Sequence, residues 1–217
     1  MINGIRLKIC GLTSLADAGL ADRCGADYLG FILYPRSERH IGLAQFRAMA
    51  PRLPDRKTVA VTVEPSADDL ADIVAAGFDF VQIHCDHATP AATVEGWAQT
   101  VSRSRLWLAP RLPPEVELPA ELLPLADTFL FDAFQAGSFG GSGKTADWTK
   151  FRRHREAYPE KTWILAGGLN PENIAVGLQA TGARFVDVNS GVEASPGVKD
   201  PAKLEALAAR LAELRLD

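Results

Sequence analysis

Along this chain, short runs rich in β-branched, aromatic and aliphatic residues alternate with alanine-rich amphipathic stretches. Alternation of apolar and polar positions marks a strand, and apolar recurrence at three- and four-residue spacing marks a helix. The pattern predicts strands over 5–10, 28–33, 58–63, 80–84, 106–109, 128–132, 162–166 and 185–189. Helices are predicted over 14–23 and 66–76, each opening on a capping serine and ending before glycine. Further helices are predicted over 171–181, with proline early, near Asp147 onward, and over 201–214. The proline-rich stretch 110–125 gives the weakest pattern.

A faint repeat runs through these units. Gly25-Ala26-Asp27-Tyr28-Leu29, Gly77-Phe78-Asp79-Phe80-Val81 and Gly182-Ala183-Arg184-Phe185-Val186 each end a helix on glycine and open a strand on an aromatic residue. The repeated unit is therefore a strand–helix module, and parallel strands require such crossovers. The fingerprint Gly-x-Gly-x-x-Gly is missing after the first strand, which argues against a dinucleotide-binding open sheet. The expected fold is an α/β single-domain (β/α)8 barrel, the TIM barrel, over residues 1–217 in compact form.

Strand parity then sorts side chains between barrel interior and helix layer. Leu7 and Ile9 suit the helix side, so Arg6, Lys8 and Cys10 point inward. The same rule sends Gln82 and His84 of the fourth strand, Leu130 and Asp132 of the sixth, and Asp187 and Asn189 of the eighth inward. Barrel interiors are usually filled by branched apolar residues, and unpartnered buried polar groups are costly. Polar groups gathered at the carboxyl ends of several strands point to a ligand site there. Cys10, alone, also fits a small buried hydrophobe, the common fate of a free cysteine.

Bulk properties narrow the partners. The net charge is −4 and no basic run stands out, which argues against nucleic acid and anionic membrane surfaces. No apolar stretch reaches bilayer-spanning length, and the N-terminus shows no signal-peptide pattern. Cys10, Cys24 and Cys85 are odd in number and scattered, which suits a reducing cytoplasm. The expected location is cytoplasmic. Oligomeric state is not readable from this pattern.

Several motifs carry chemistry. Gly167-Gly168 follows the seventh strand, and Asn189-Ser190-Gly191 follows the eighth. Glycines allow backbone N–H groups to approach a phosphate, and barrels often hold one between these two loops. Gly140-Gly141-Ser142-Gly143-Lys144-Thr145 imitates a nucleotide phosphate loop, but Ser138 stands where that motif needs glycine. It reads better as a cover over the site, with Lys144 able to hold an anion. His84-Cys85-Asp86-His87 lacks a second inward ligand at metal spacing, so no metal is expected. Arg36 and Arg39 sit at the barrel mouth and can fork around a carboxylate.

Taken together, these segments resemble the phosphoribosylanthranilate isomerase family. The matching stretches include Lys8-Ile9-Cys10-Gly11, Pro35-x-Ser37-x-Arg39, Val81-Gln82-x-His84, Phe131-Asp132, Ala166-Gly167-Gly168-Leu169 and Val186-Asp187-Val188 through Glu193 to Asp200. The resemblance implies a (β/α)8 barrel that performs an Amadori rearrangement of a phosphorylated aminosugar, with no cofactor. It places the general base at Cys10, the general acid at Asp132 and the anthranilate carboxylate contact at Arg39, with His84 and Asp187 lining the site; Lys8, inward by parity, is expected to join them. Those roles require burial to raise the Asp132 pKa and a neighbouring cation such as Lys8 to favour the Cys10 thiolate. Cys85 and Asn189 depart from the family's more common glycine and serine. Two other readings are a related histidine-pathway isomerase barrel, which uses an aspartate pair, and a non-catalytic phosphate-binding barrel.

Overall fold

The computed structural model describes residues 1–132 and 146–214. Its strands are β1 (Arg6–Ile9), β2 (Tyr28–Ile32), β3 (Lys57–Val63), β4 (Phe80–Asp86), β5 (Leu106–Arg111), β6 (Thr128–Phe131), β7 (Thr162–Leu165) and β8 (Phe185–Val188). All pair in parallel, in chain order, and β8 returns to β1 to close the barrel. Helices α1 (Leu15–Arg23), α2 (Leu43–Met49), α3 (Ala67–Ala75), α4 (Ala91–Val101), α5 (Trp148–Ala157), α6 (Ile174–Thr181) and α7 (Pro201–Glu213) form the outer layer. Ser14 and Ser66 cap α1 and α3, accepting from the N–H groups of Asp17 and Asp69 at 3.1 Å. Among the described residues, no helix is long and apolar enough to cross a membrane.

The Gly-x-Asp-aromatic form of the repeat, found before β2 and β4, has a structural cause. The Asp27 carboxylate accepts from the Leu7 N–H at 2.9 Å, and the Asp79 carboxylate accepts from the Thr58 N–H at 2.8 Å. Each aspartate thus clips the beginning of its own strand to the preceding one, satisfying an end amide that the ladder leaves open. The aromatic residue that follows turns inward. Tyr28, Phe80 and Phe185 meet Trp107 of β5 at centroid distances of 5.2, 5.0 and 5.4 Å. Arg6 lies 4.5 Å over the Phe185 ring. This aromatic floor plugs the N-terminal end of the barrel, so a ligand enters from the other end.

Three regions stand out as different from the sequence pattern. The stretch 110–125 forms no α-helix; a 3-10 turn, Ala120–Leu125, with Pro124 inside it, stands in its place. Proline supplies no N–H and resists a regular helix. The loop before it is held by the buried Lys150 ammonium, which donates to the carbonyls of Pro113 and Val116. Helix α6 begins at Ile174 rather than 171, because the Asn170 side chain accepts from the N–H groups of Glu172 and Asn173 and holds a turn there. A small antiparallel hairpin, β9 (Glu193–Ser195) with β10 (Val198–Lys199), follows β8 and has no counterpart in the predicted elements.

Trp107 at the centre of this floor is only 2% exposed. Trp107→Ala is expected to lower unfolding free energy by about 3–5 kcal/mol, the usual cost of emptying a buried aromatic site. Denaturant titration measures this, and a loss under about 1 kcal/mol would show that the floor is not tightly packed.

Candidate active site

The open end of the barrel holds a cavity of about 470 Å³. Cys10, Gln82, His84, Asp132 and Asp187 line it from below, and Arg39, Gly167, Gly168, Asn189 and Ser190 line its rim. Parity therefore placed the inward groups on one wall system. Lys8 and Gly191 are exceptions among the expected residues, because neither reaches the cavity wall. Gly140, Gly141, Ser142, Gly143 and Lys144 lie outside the described residues.

Lys8 sits one layer below, with no exposed surface. β1 and β8 pair so that Lys8 stands directly opposite Asp187, and its ammonium donates to Asp187 Oδ2 at 2.7 Å. Burial works against the Lys8 charge, but Asp187 and Cys10 outweigh it and hold the ammonium above the usual lysine value. The other carboxylate oxygen, Asp187 Oδ1, is buried without a partner among the described residues.

Cys10 follows β1 directly and is 4% exposed. Burial pushes its thiol up, and Lys8 pulls it down without reversing the shift. Asp187 adds to the upward push, and Lys199 adds to the pull. Lys8 thus favours the thiolate in the expected direction, but its pull is smaller than the push of burial. Desolvation is the larger effect in the ligand-free protein.

His84 is held neutral. Burial, and then the nearby Lys8 charge, depress its pKa to about 4. The Gln82 amide lies 2.8 Å from His84 Nε2. A neutral ring can accept that hydrogen bond at Nε2 and carry its proton on Nδ1. Gln82 Oε1 is buried and unpartnered among the described residues. Two acceptors, on Gln82 and Asp187, thus face a cavity that can supply donors from a ligand.

At the rim, Gly167 and Gly168 both adopt left-handed backbone, with φ of 82° and 60°. Neither N–H has a backbone acceptor among the described residues. Gly191 serves a different purpose. A Cβ there would stand 2.0 Å from the Leu169 carbonyl oxygen, so glycine is what lets the loops after β7 and β8 touch. The Asn189 side chain is also engaged, accepting from Lys199 Nζ at 3.0 Å.

Arg39 is committed along one edge. Its Nε donates to Glu193 Oε1 at 2.9 Å, and its Nη2 donates to Glu193 Oε2 at 2.7 Å. Glu193 and Lys199 had no assigned role in the sequence reading. Both fall inside the stretch that resembles the family, but a hairpin of two- and three-residue strands shows no periodicity to reveal their pairing. Among the described residues, no cluster of three or more His, Cys, Asp or Glu could hold a metal ion.

A closed parallel barrel with ionisable groups at the carboxyl ends of its strands defines a (β/α)8-barrel enzyme acting on a small ligand. The chain belongs, more narrowly, to the N-(5'-phosphoribosyl)anthranilate isomerase family, whose model matches residues 7–210. A curated relative from Neisseria gonorrhoeae, named N-(5'-phosphoribosyl)anthranilate isomerase, is 37% identical over 94% of this chain and 95% of its own. The crystal structure of phosphoribosyl anthranilate isomerase from Thermus thermophilus is similar with a TM-score of 0.76 and 33% identity, covering 97% of this chain and all of that one. A further similar structure, at TM-score 0.77 and 29% identity over 97% of this chain and 100% of its own, is a phosphoribosyl anthranilate isomerase in complex with reduced 1-(o-carboxyphenylamino)-1-deoxyribulose 5-phosphate.

The depressed His84 pKa has a stability consequence. An ordinary histidine titrates near 6.5 when unfolded, so between pH 6.5 and about 4 the unfolded chain binds a proton that the folded chain refuses. Folding stability should therefore fall as pH drops through that window, by roughly 3 kcal/mol for this group once pH is below about 4. NMR titration should place the His84 midpoint near 4, and His84→Gln should flatten the acid limb of the stability curve. A His84 midpoint near 6.5 would contradict the buried, neutral ring.

Proposed function

We propose that this chain converts N-(5-phosphoribosyl)anthranilate to 1-(2-carboxyphenylamino)-1-deoxyribulose 5-phosphate in tryptophan biosynthesis, with Asp132 as general acid and Cys10 as general base. The observation that carries the reading is the shared cavity. Cys10, directly after β1, and Asp132, directly after β6, line the same space, with Arg39 and the paired glycines at its rim.

The acid–base steps follow from the substrate's chemistry. Asp132 gives a proton to the furanose ring oxygen as the C1–O bond breaks, leaving a Schiff base at C1. Cys10, as thiolate, removes the proton at C2, and the electrons of that C–H bond form the C1–C2 double bond of an enolamine. The enolamine gains a proton at C1 and loses one from the C2 hydroxyl, which yields the aminoketone. No electrons are exchanged with the protein. Acid and base are coupled, since the competent form has the proton on Asp132 and none on Cys10.

The remaining groups bind and orient. The N–H groups of Gly167 and Gly168, which have no backbone acceptor among the described residues, suit the phosphate. Ser190, on the neighbouring loop, lines the same rim. The unspent end of the Arg39 fork suits the anthranilate carboxylate. Gln82 Oε1 and Asp187 Oδ1 are placed to accept from sugar hydroxyls.

The direct test mixes the protein with freshly generated phosphoribosylanthranilate and follows the loss of its fluorescence. The wild type should accelerate that loss, while Cys10→Ser and Asp132→Asn should each cut kcat by roughly 10²–10⁴-fold and keep the wild-type circular dichroism and melting curve. Near-normal turnover in either folded variant refutes that residue's role.

A further inference from the structure

Glu193 takes no part in these proton transfers, yet it is the most heavily bonded carboxylate at the barrel mouth. Besides Arg39, it accepts from Lys199 Nζ at 3.1 Å and from the Gly197 N–H at 3.2 Å. Its side chain is 4% exposed and that of Lys199 is fully buried. Every Lys199 hydrogen has an oxygen to meet, on Glu193, on the Asn189 side chain and on the Asn189 carbonyl at 3.2 Å. A buried charged group so fully satisfied is a built feature.

The geometry fixes one edge of the guanidinium and leaves another open. Glu193 occupies the Nε–Nη2 edge of Arg39. Nη1 has no protein partner among the described residues, so Nη1 and the second Nη2 hydrogen remain for a ligand. Glu193 alone would cancel the Arg39 charge and weaken its pull on an anion. Lys199 prevents that, because the three groups in contact carry one net positive charge. The hairpin that brings Glu193 and Lys199 together is itself tied to the loop after β1 and to the first turn of α1. Thr13 Oγ1 donates to the Gly197 carbonyl at 2.7 Å, and the Lys199 N–H donates to Asp17 at 3.2 Å. Asn189 Oδ1 and Arg39 Cδ both press against Gly11, at 2.4 and 2.9 Å from where a Cβ would stand. Gly11 has a φ of 71° and directly follows Cys10.

We propose that the β9–β10 hairpin is a carboxylate-selecting clamp, in which Glu193 is a positioning residue that aims the Arg39 fork and Lys199 keeps the pair net positive. The inference rests on the proposed reaction and assigns the preference for an aryl carboxylate to residues that never touch it. Burial works to raise the Glu193 pKa, but Arg39 and Lys199 outweigh it and hold the carboxylate below its usual range, as a permanently charged anchor requires.

The test compares two substrates made from ribose 5-phosphate, one with anthranilate and one with aniline, which lacks the carboxylate. For each, kcat/KM is measured in wild type, Glu193→Gln, Lys199→Met and Arg39→Gln, with circular dichroism to confirm folding. Wild type should favour the carboxylated substrate strongly, and Arg39→Gln should show how far that preference can fall. Glu193→Gln and Lys199→Met should each lose roughly tenfold or more of the ratio, mainly through a higher KM for the carboxylated substrate. A folded Glu193→Gln that keeps the wild-type ratio overturns the clamp, including the case where both substrates slow equally. Should Glu193→Gln not fold, the ratio in Lys199→Met decides in the same way. Wild type inactive on both substrates would instead overturn the proposed reaction.

Discussion

The buried pair of Lys8 and Asp187 is the constraint on which the rest of this barrel depends. It bridges β1 and β8, the first and last strands, at the seam where the sheet closes. A buried ion pair is a poor source of stability compared with packed apolar side chains, but losing one partner leaves an uncompensated charge and is strongly destabilising. The pair therefore specifies register at the closure, because a one-residue slip would turn Lys8 into the apolar helix layer. Placed one layer below the cavity, it also sets the local field. It opposes the upward push of burial on Cys10 and helps keep His84 neutral.

Around that seam the barrel is divided by function. The aromatic floor of Tyr28, Phe80, Trp107 and Phe185 seals one end and stiffens the strand starts. The other end gives up apolar packing for polar groups. The lone pairs on Gln82 and Asp187 and the end of the Arg39 fork that have no partner among the described residues define what a ligand must bring. It must supply donors to the centre and an anion to the rim, which agrees with a sugar bearing both a carboxylate and a phosphate.

The barrel and its inward residues were legible because period-2 alternation is unambiguous where one face is helix-packed and the other is polar. Lys8, Cys10, His84, Asp132 and Asp187 all followed from that rule. Three things were not legible. The loop 110–125 keeps its place through Lys150, whose contacts with backbone carbonyls leave no local signature. The β9–β10 hairpin is too short for periodicity, so although Arg39, Glu193 and Lys199 lie in segments that resemble the family, nothing in the sequence showed that they meet. The balance at Cys10 was also hidden, since sequence shows a cation two residues away but not the depth of burial that outweighs it.

The account turns on the seam pair tuning the thiol proposed as base. The most direct measurement is the ionisation of Cys10 against pH, read from thiolate absorbance as the difference from Cys10→Ser. In the free protein it should lie above an ordinary thiol, and it should rise further in Lys8→Met/Asp187→Asn, because the downward pull of Lys8 exceeds the upward push of Asp187. A Cys10 ionisation unchanged or lowered in that double variant would contradict the account.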